Sequence, residues 1–140
     1  GALVAGLDAG LAYPTGPLMD GKLVPDGLGK LSPWWLNAFE NITTVQFDHR
    51  MFAYCVTALI AFHAFDAMRN AVNGRTKRRA GLMLAVTLVQ VILGISALLF
   101  GVPIHVALAH QVVAIILFGI AVVHADALGR KSVPLMAQSA

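Results

Sequence analysis

Three apolar runs, each long enough to cross a lipid bilayer, constrain what this 140-residue chain can fold into. They cover roughly Thr44–Met68, Gly81–Val102 and Pro103–Leu128. A helix needs about 20 residues to cross roughly 30 Å of hydrocarbon, and each run exceeds that length. Charged residues make up only 12% of the chain, about half the share typical of a soluble domain. The sequence therefore predicts an all-α, polytopic transmembrane helical bundle.

A shorter apolar segment, GALVAGLDAGLAY, occupies residues 1–13. It is too short to cross a bilayer alone, and it lacks the basic region with which a signal peptide begins. We interpret it as the outer end of a truncated fourth transmembrane helix. The predicted organisation is this segment, an outer loop with an interfacial helix over 14–43, a bundle of three helices over 44–128 and a tail over 129–140.

Basic residues collect on one side of the predicted bundle. The connection 69–80 and the tail carry seven of them: Arg69, Arg75, Lys77, Arg78, Arg79, Arg130 and Lys131. The 14–43 loop has only Lys22 and Lys30. The positive-inside rule therefore places the connection and the C-terminus on the cytoplasmic or matrix side of a bacterial or mitochondrial inner membrane. Because this charge serves as a topology signal, no nucleic-acid partner is expected.

The outer loop contains a predicted short helix. Ser32 is its expected N-cap, and Pro33 suits the first helical position. Trp35, Phe39 and Ile42 then share one face, and tryptophans favour the headgroup level of a membrane. The segment is interpreted as an interfacial anchor, as a lid over a ligand in the outer leaflet, or as both.

Histidines are the main candidates for a functional site. His49 lies five residues after Thr44, and His110 lies seven after Pro103, on two helices that both run inward. At about 1.5 Å per residue both are roughly 7–11 Å below the outer boundary. Membrane-embedded histidines often mark function, although some only bond to a neighbouring helix. Two at one depth fit the opposite faces of a haem iron, whereas zinc usually takes about four ligands.

A second histidine pair repeats the spacing. His63 and His124 each follow an outer histidine by fourteen residues, close to four helical turns. A two-haem electron-transfer cytochrome would show this duplication. The neighbouring Asp66 and Asp126 instead favour solvated or ion-paired histidines at the membrane boundary. His105 lies at the outer lip of the third span.

The stretch VQFDHRMFAY surrounds the first histidine with polar residues. Gln46 is three residues before His49, on the same helical face, and is expected to orient the ring of that histidine. Arg50 is expected to point elsewhere and to pair with a haem propionate, because guanidinium groups suit carboxylates. Its alternative role is to reach lipid headgroups.

The chain also resembles a known family. The elements PLMDG, PWWLNAFENITTVQFDHRMFAY, LVQVILGISALL and VPIHVALAHQ follow one another as in the C-terminal half of haem A synthase. QFDHRM and ALAHQ are the most specific. The resemblance implies half of an eight-helix, internally repeated inner-membrane protein that oxidises a ring methyl of haem O to the formyl group of haem A. It also implies haem b, with its iron held by His49 and His110.

Two departures from the family pattern bear on function. The family's N-terminal half carries Glu-x-x-His-Arg at its substrate site, whereas Gln46 stands at the glutamate position here. The catalytic residues are therefore expected in that absent half, and this chain alone is expected to be inactive. The stretch PTGPLM stands where the family usually has Asn-Thr and an aromatic residue. Pro14 and Gly16 in this stretch are expected to change the local loop conformation and to leave the histidines unaffected.

Three functions remain open at this point. They are the haem b half of haem A synthase, a two-haem b-type electron-transfer cytochrome, and a membrane assembly subunit without a cofactor. The first implies haem O as substrate, with its site mainly in the other half. It also implies the lipid bilayer, haem O synthase and cytochrome oxidase assembly factors as partners.

Overall fold

A computed structural model of the chain describes residues 1–129, so the predicted tail with Arg130 and Lys131 lies outside the described residues. Within that range the regular structure is helical: α1 (Ala2–Gly6), α2 (Asn37–Glu40), α3 (Ile42–Asn70), α4 (Gly74–Leu99) and α5 (Ile104–Gly129). Short 3-10 turns form at Ala9–Leu11 and Trp34–Leu36. Helices α3, α4 and α5 are long and apolar enough to cross a membrane, which confirms the predicted all-α fold with three spans.

Helix α4 begins earlier than its apolar run. The structure starts it at Gly74, so Arg75, Arg78 and Arg79 lie on its first turns and not in a loop. Lysine and arginine are good helix formers, and their long stems let the charges reach the membrane boundary. The Asn73 side chain caps the helix by accepting from the Arg75 backbone N–H at 2.8 Å. The predicted connection 69–80 is thus only three residues long, from 71 to 73.

This short connection provides a test of membrane orientation. Val72 is fully exposed and, unlike Asn73, caps nothing, so cysteine there should leave the fold intact. After Cys55→Ser, we expect Val72→Cys in sealed, oriented vesicles to react with an impermeant maleimide only from the cytoplasmic or matrix side. Leu23→Cys, on the exposed outer loop, should react from the opposite side. If Val72→Cys reacts from the outer side and Leu23→Cys from the cytoplasmic or matrix side, the proposed topology is wrong and the chain has the opposite orientation.

The turn between α4 and α5 is a Schellman motif. The Val102 N–H donates to the Ala97 carbonyl at 2.7 Å, and the Gly101 N–H donates to that of Leu98 at 3.4 Å. Gly101 has a φ of 72°, a left-handed conformation that glycine adopts without the strain a Cβ would cause. The motif ends α4 and reverses the chain, so α5 packs antiparallel to α4.

Helix α4 is the central helix of the bundle. It packs against both α3 and α5, whereas α3 and α5 make little contact with each other. The best-buried contact between α3 and α4 uses small side chains, Ala64, Ala67 and Ala80, which allow close approach of helices in membranes. A cleft therefore separates α3 from α5. We call its end near residues 14–43 the loop end, and its end near Arg75–Arg79 the basic end.

Two asparagines organise the loop before α3. The buried side chain of Asn37 accepts from the Leu31 N–H and donates to the carbonyls of Leu31 and Trp34, all within 2.9 Å. Asn41 caps α3 by accepting from the Thr44 N–H at 3.1 Å. The predicted N-cap role of Ser32 is wrong, because Pro33 precedes the first turn and no side chain caps it. The three side chains predicted to share one face, Trp35, Phe39 and Ile42, are all exposed.

Asn37→Ala should loosen this loop without unfolding the spans. The substitution leaves the Leu31 N–H and two carbonyls without their partner, each costing about 1 kcal/mol. We expect faster proteolysis within residues 14–43, measured in detergent, with unchanged helical circular dichroism. Asn70→Ala is the control, since among residues 1–129 the exposed Asn70 side chain bonds only to Asp66, one turn away. Equal proteolysis of the two variants would contradict the role of Asn37.

Candidate functional site

The structure brings His49 and His110 together at the loop end of the cleft. His49 projects from α3 and His110 from α5, and their ring centroids lie 6.5 Å apart with the planes at 78°. Both rings are partly buried. Because α3 and α5 barely touch, the two side chains meet across the cleft, as the depth argument predicted.

The spacing of these rings suits a metal between them. If each nitrogen lies about 2 Å from the metal and about 1 Å from its ring centre, the centroids are roughly 6 Å apart. Within residues 1–129, no three His, Cys, Asp or Glu side chains are grouped to hold a metal ion. Two opposed imidazoles alone therefore suit a metal that brings its other ligands with it, as haem iron does.

Helix α4 supplies two further residues to this site, Gln90 and Gly94. The Gln90 side-chain nitrogen lies 3.3 Å from Nε2 of His110. A Cβ added to Gly94 would lie 3.0 Å from Cε1 of His110, so the imidazole packs directly on the glycine. Sequence reasoning missed both residues. Their signal is an amide in an apolar span, followed by a glycine four residues later on the same helical face.

Arg50 and Gln46 are held by the backbone of the preceding loop. Both donate to the Tyr13 carbonyl, Arg50 through Nη2 at 2.7 Å and Gln46 through Nε2 at 3.1 Å. The structure therefore corrects two expectations: Gln46 bonds to Tyr13 rather than to His49, and Arg50 lies on the same helical face as Gln46. Both side chains bond to Tyr13 because residues 12–13 pass beside α3. The Tyr13 carbonyl lies outside any helix and therefore needs hydrogen-bond donors from side chains.

Several buried polar atoms near this site have no partner in the described structure. They are Gln46 Oε1, Arg50 Nη1, Gln90 Oε1 and His110 Nδ1. Such atoms are costly in a membrane interior unless a ligand or water completes them. The free Nη1 of Arg50 lies beside the imidazoles of His49 and His110. It is a suitable hydrogen-bond donor for a metal complex that carries carboxylate groups. The donor set thus fits haem, whose iron takes imidazole and whose propionates take guanidinium.

The inner histidines form a different arrangement. Nε2 of His63 and Nε2 of His124 are 2.8 Å apart, so one ring donates a hydrogen bond to the other. His124 is only 4% exposed, and Asp66 accepts from Asn70 rather than from His63. The expected solvated or ion-paired state at the boundary is therefore wrong for His124, because the second histidine provides its partner. His105, at the start of α5, is exposed.

The comparisons with known proteins agree with the resemblance noted in the sequence. Residues 1–122 match the COX15-CtaA family, described as cytochrome oxidase assembly protein. The haem A synthase of Bartonella tribocorum is 51% identical over 124 residues, covering 89% of this chain and 35% of the relative. That of Bradyrhizobium sp. (strain ORS 278) is 50% identical over 139 residues, covering 98% and 38%.

Coverage of the relatives is partial. The haem A synthase of Chelativorans sp. (strain BNC1) is 49% identical over all of this chain but only 38% of its own length. The chain thus spans somewhat more than a third of the curated relatives it matches. No solved structure matches the chain. The family match nevertheless covers well over half of the sequence and includes both outer histidines. The chain is therefore a multi-pass membrane protein that belongs to the COX15-CtaA family of cytochrome oxidase assembly proteins.

Proposed function

We propose that this chain is the C-terminal, haem b-binding half of a haem A synthase. In this proposal His49 and His110 would hold the iron of one haem through their imidazole nitrogens. The observation that carries it is the 6.5 Å separation of two imidazoles on helices that otherwise barely touch. The relatives named haem A synthase support a role in haem A biosynthesis, and the reaction we propose for the whole protein is the oxidation of the haem O ring methyl.

Each remaining residue of the site has a defined task in this proposal. The free Nη1 of Arg50 binds a propionate while its Nη2 stays on Tyr13. Gln46 holds the same carbonyl, so the loop before α3 and the helix stay in register. Gly94 provides the space in which the His110 ring lies. When bound, the haem supplies a one-electron redox centre, and these residues bind and orient it.

The inner histidines support one haem per chain rather than two. A metal between two imidazole nitrogens needs them roughly 4 Å apart, and Nε2 of His63 and Nε2 of His124 are 2.8 Å apart. These two nitrogens are already satisfied by each other. This contact favours the haem A synthase assignment over a two-haem cytochrome, and it gives the inner pair a structural role in joining α3 to α5.

The haem O site and the catalytic residues belong, in this proposal, to the part of the protein that this chain does not include. Gln46 occupies the position where the family's substrate half carries glutamate, so no carboxylate from α3 lies beside His49 at that position. The chain's own contribution is a haem b held within the membrane near its outer boundary. Haem O synthase and oxidase assembly factors remain the expected partners.

Haem stoichiometry tests the proposal. We would replace the matching segment of the Bradyrhizobium relative by this chain, which aligns with it over 139 residues, and purify the chimera. A pyridine haemochrome assay should give one haem b per chain from this segment. The control is the same chimera with both His49→Ala and His110→Ala, which reports haem held elsewhere. No difference between the two would refute the proposal, and a difference of two haems would favour the cytochrome.

A further inference from the structure

We propose that the groove between α4 and α5 at the basic end binds one anionic glycerophospholipid. Its phosphate would bind Arg78 and Arg79, and one acyl chain would lie in the groove below them. This site is separate from the histidines of the loop end and does not depend on the proposed haem function.

Two adjoining cavities define the site. An open surface cavity of about 490 Å³ lies among Gly74 and three arginines, Arg75, Arg78 and Arg79. A second, of about 440 Å³, is lined by the same Arg78 and Arg79 and by the aliphatic residues Leu82, Ile116, Ile120 and Val123, with Gly119. The two arginines therefore join a cationic pocket to an apolar groove. A phospholipid has the same order of groups, a charged phosphate followed by a hydrocarbon chain.

The pocket gathers three guanidinium groups, those of Arg75, Arg78 and Arg79. Guanidinium groups bind phosphate oxygens in fork geometry, and basic pockets between transmembrane helices bind anionic headgroups. A phosphodiester thus suits the cationic pocket by its charge and by the geometry of its oxygens.

The groove has room for an acyl chain because of Gly119. A Cβ added there meets nothing within 4 Å, so the surface of α5 is open at this position. The flanking Ile116 and Val123 are at least half exposed and lie three and four residues away, on the same helical face. A free phosphate ion would contact the arginines only, whereas a phospholipid would also fill this space. The apolar continuation therefore identifies the ligand as a lipid.

Native mass spectrometry of the detergent-solubilised chain would count the bound lipid. The probe is phosphatidylglycerol, with phosphatidylcholine as the zwitterionic comparison. We expect one phosphatidylglycerol to be retained, and Arg78→Gln with Arg79→Gln to weaken its binding by about tenfold or more. The matched control is Arg69→Gln with Lys77→Gln, which removes equal charge from the same end but outside the groove. This control should keep most of the bound lipid.

Gly119→Leu separates a lipid site from simple attraction of anions. The Cβ of the leucine meets no protein atom within 4 Å and every charge stays in place, so the fold and the cationic pocket should persist while the side chain occupies the groove. We expect it to reduce phosphatidylglycerol retention several-fold while inorganic phosphate binding stays unchanged. The proposal is overturned if the Arg78/Arg79 variant and the Arg69/Lys77 control lose lipid equally, if phosphatidylcholine binds as well as phosphatidylglycerol, or if Gly119→Leu changes nothing.

Discussion

Replacing His49 or His110 by alanine is expected to abolish the b-type absorbance that this chain contributes to the chimera. Each substitution removes one of the two imidazoles that face each other across the cleft, with ring centroids 6.5 Å apart. Within residues 1–129 no other group of metal-binding side chains is assembled to replace them. Loss of one axial ligand should therefore remove most of the haem rather than shift its spectrum slightly.

The inner histidines provide the matched control. His63→Ala and His124→Ala remove the same side chains from the same two helices, fourteen residues deeper. The loss of one hydrogen bond between helices costs about 1 kcal/mol, so both variants should fold and keep most of the absorbance. If the inner substitutions instead remove half of the haem and the outer ones the other half, the two-haem cytochrome is the correct assignment.

The agreement for the outer pair follows from simple geometry. His49 lies seven residues after the start of α3 at Ile42, and His110 lies six after the start of α5 at Ile104. Those starts differ from the predicted boundaries by one or two residues, which changes both depths by only about 3 Å or less. Depth along a membrane helix is therefore predictable from sequence, because the rise per residue is constant.

The rotation of the helices about their axes was not predictable in the same way. Helices α3 and α5 carry almost no amphipathic pattern, so their sequences do not show which face of each helix meets a neighbour. The contact of Gln90 and Gly94 with His110 depends on that rotation. The hydrogen bond between His63 and His124 depends on it too, and on the small residues that bring α3 and α4 close.

Contacts from distant loops were equally beyond sequence reasoning. Tyr13 accepts from Gln46 and Arg50 across 33 and 37 residues of chain. Nothing in the composition of residues 14–43 fixes where the loop returns. The polar run around His49 could thus be recognised as a site, but the partners of its members could not be assigned. The same applies to Asn37, whose role depends on the folded loop.

Gly94→Ala should lower haem retention severely, although it replaces neither of the two histidines proposed to bind the iron. The new methyl group would lie 3.0 Å from Cε1 of His110 and 3.6 Å from Nδ1, so the imidazole must move by a few tenths of an ångström or turn. Alanine favours a helix over glycine by about 1 kcal/mol, so α4 itself should not weaken. The expected phenotype is thus a folded protein with a displaced ligand, and Gly94→Val should be more severe.

The control for this prediction is Gly81→Ala on the same helix, where an added Cβ meets nothing within 4 Å. Both variants gain the same methyl group and the same helix propensity, so they differ only in the contact with His110. Haem content per chain and the low-spin spectrum of two imidazole ligands would be measured beside the melting temperature. We expect Gly81→Ala to match the unsubstituted chimera and Gly94→Ala to lose most of its haem at an unchanged or higher melting temperature. Equal haem content in the two variants would mean that His110 does not need the space above Gly94. That result would contradict the position of the His110 ring in the proposed haem site.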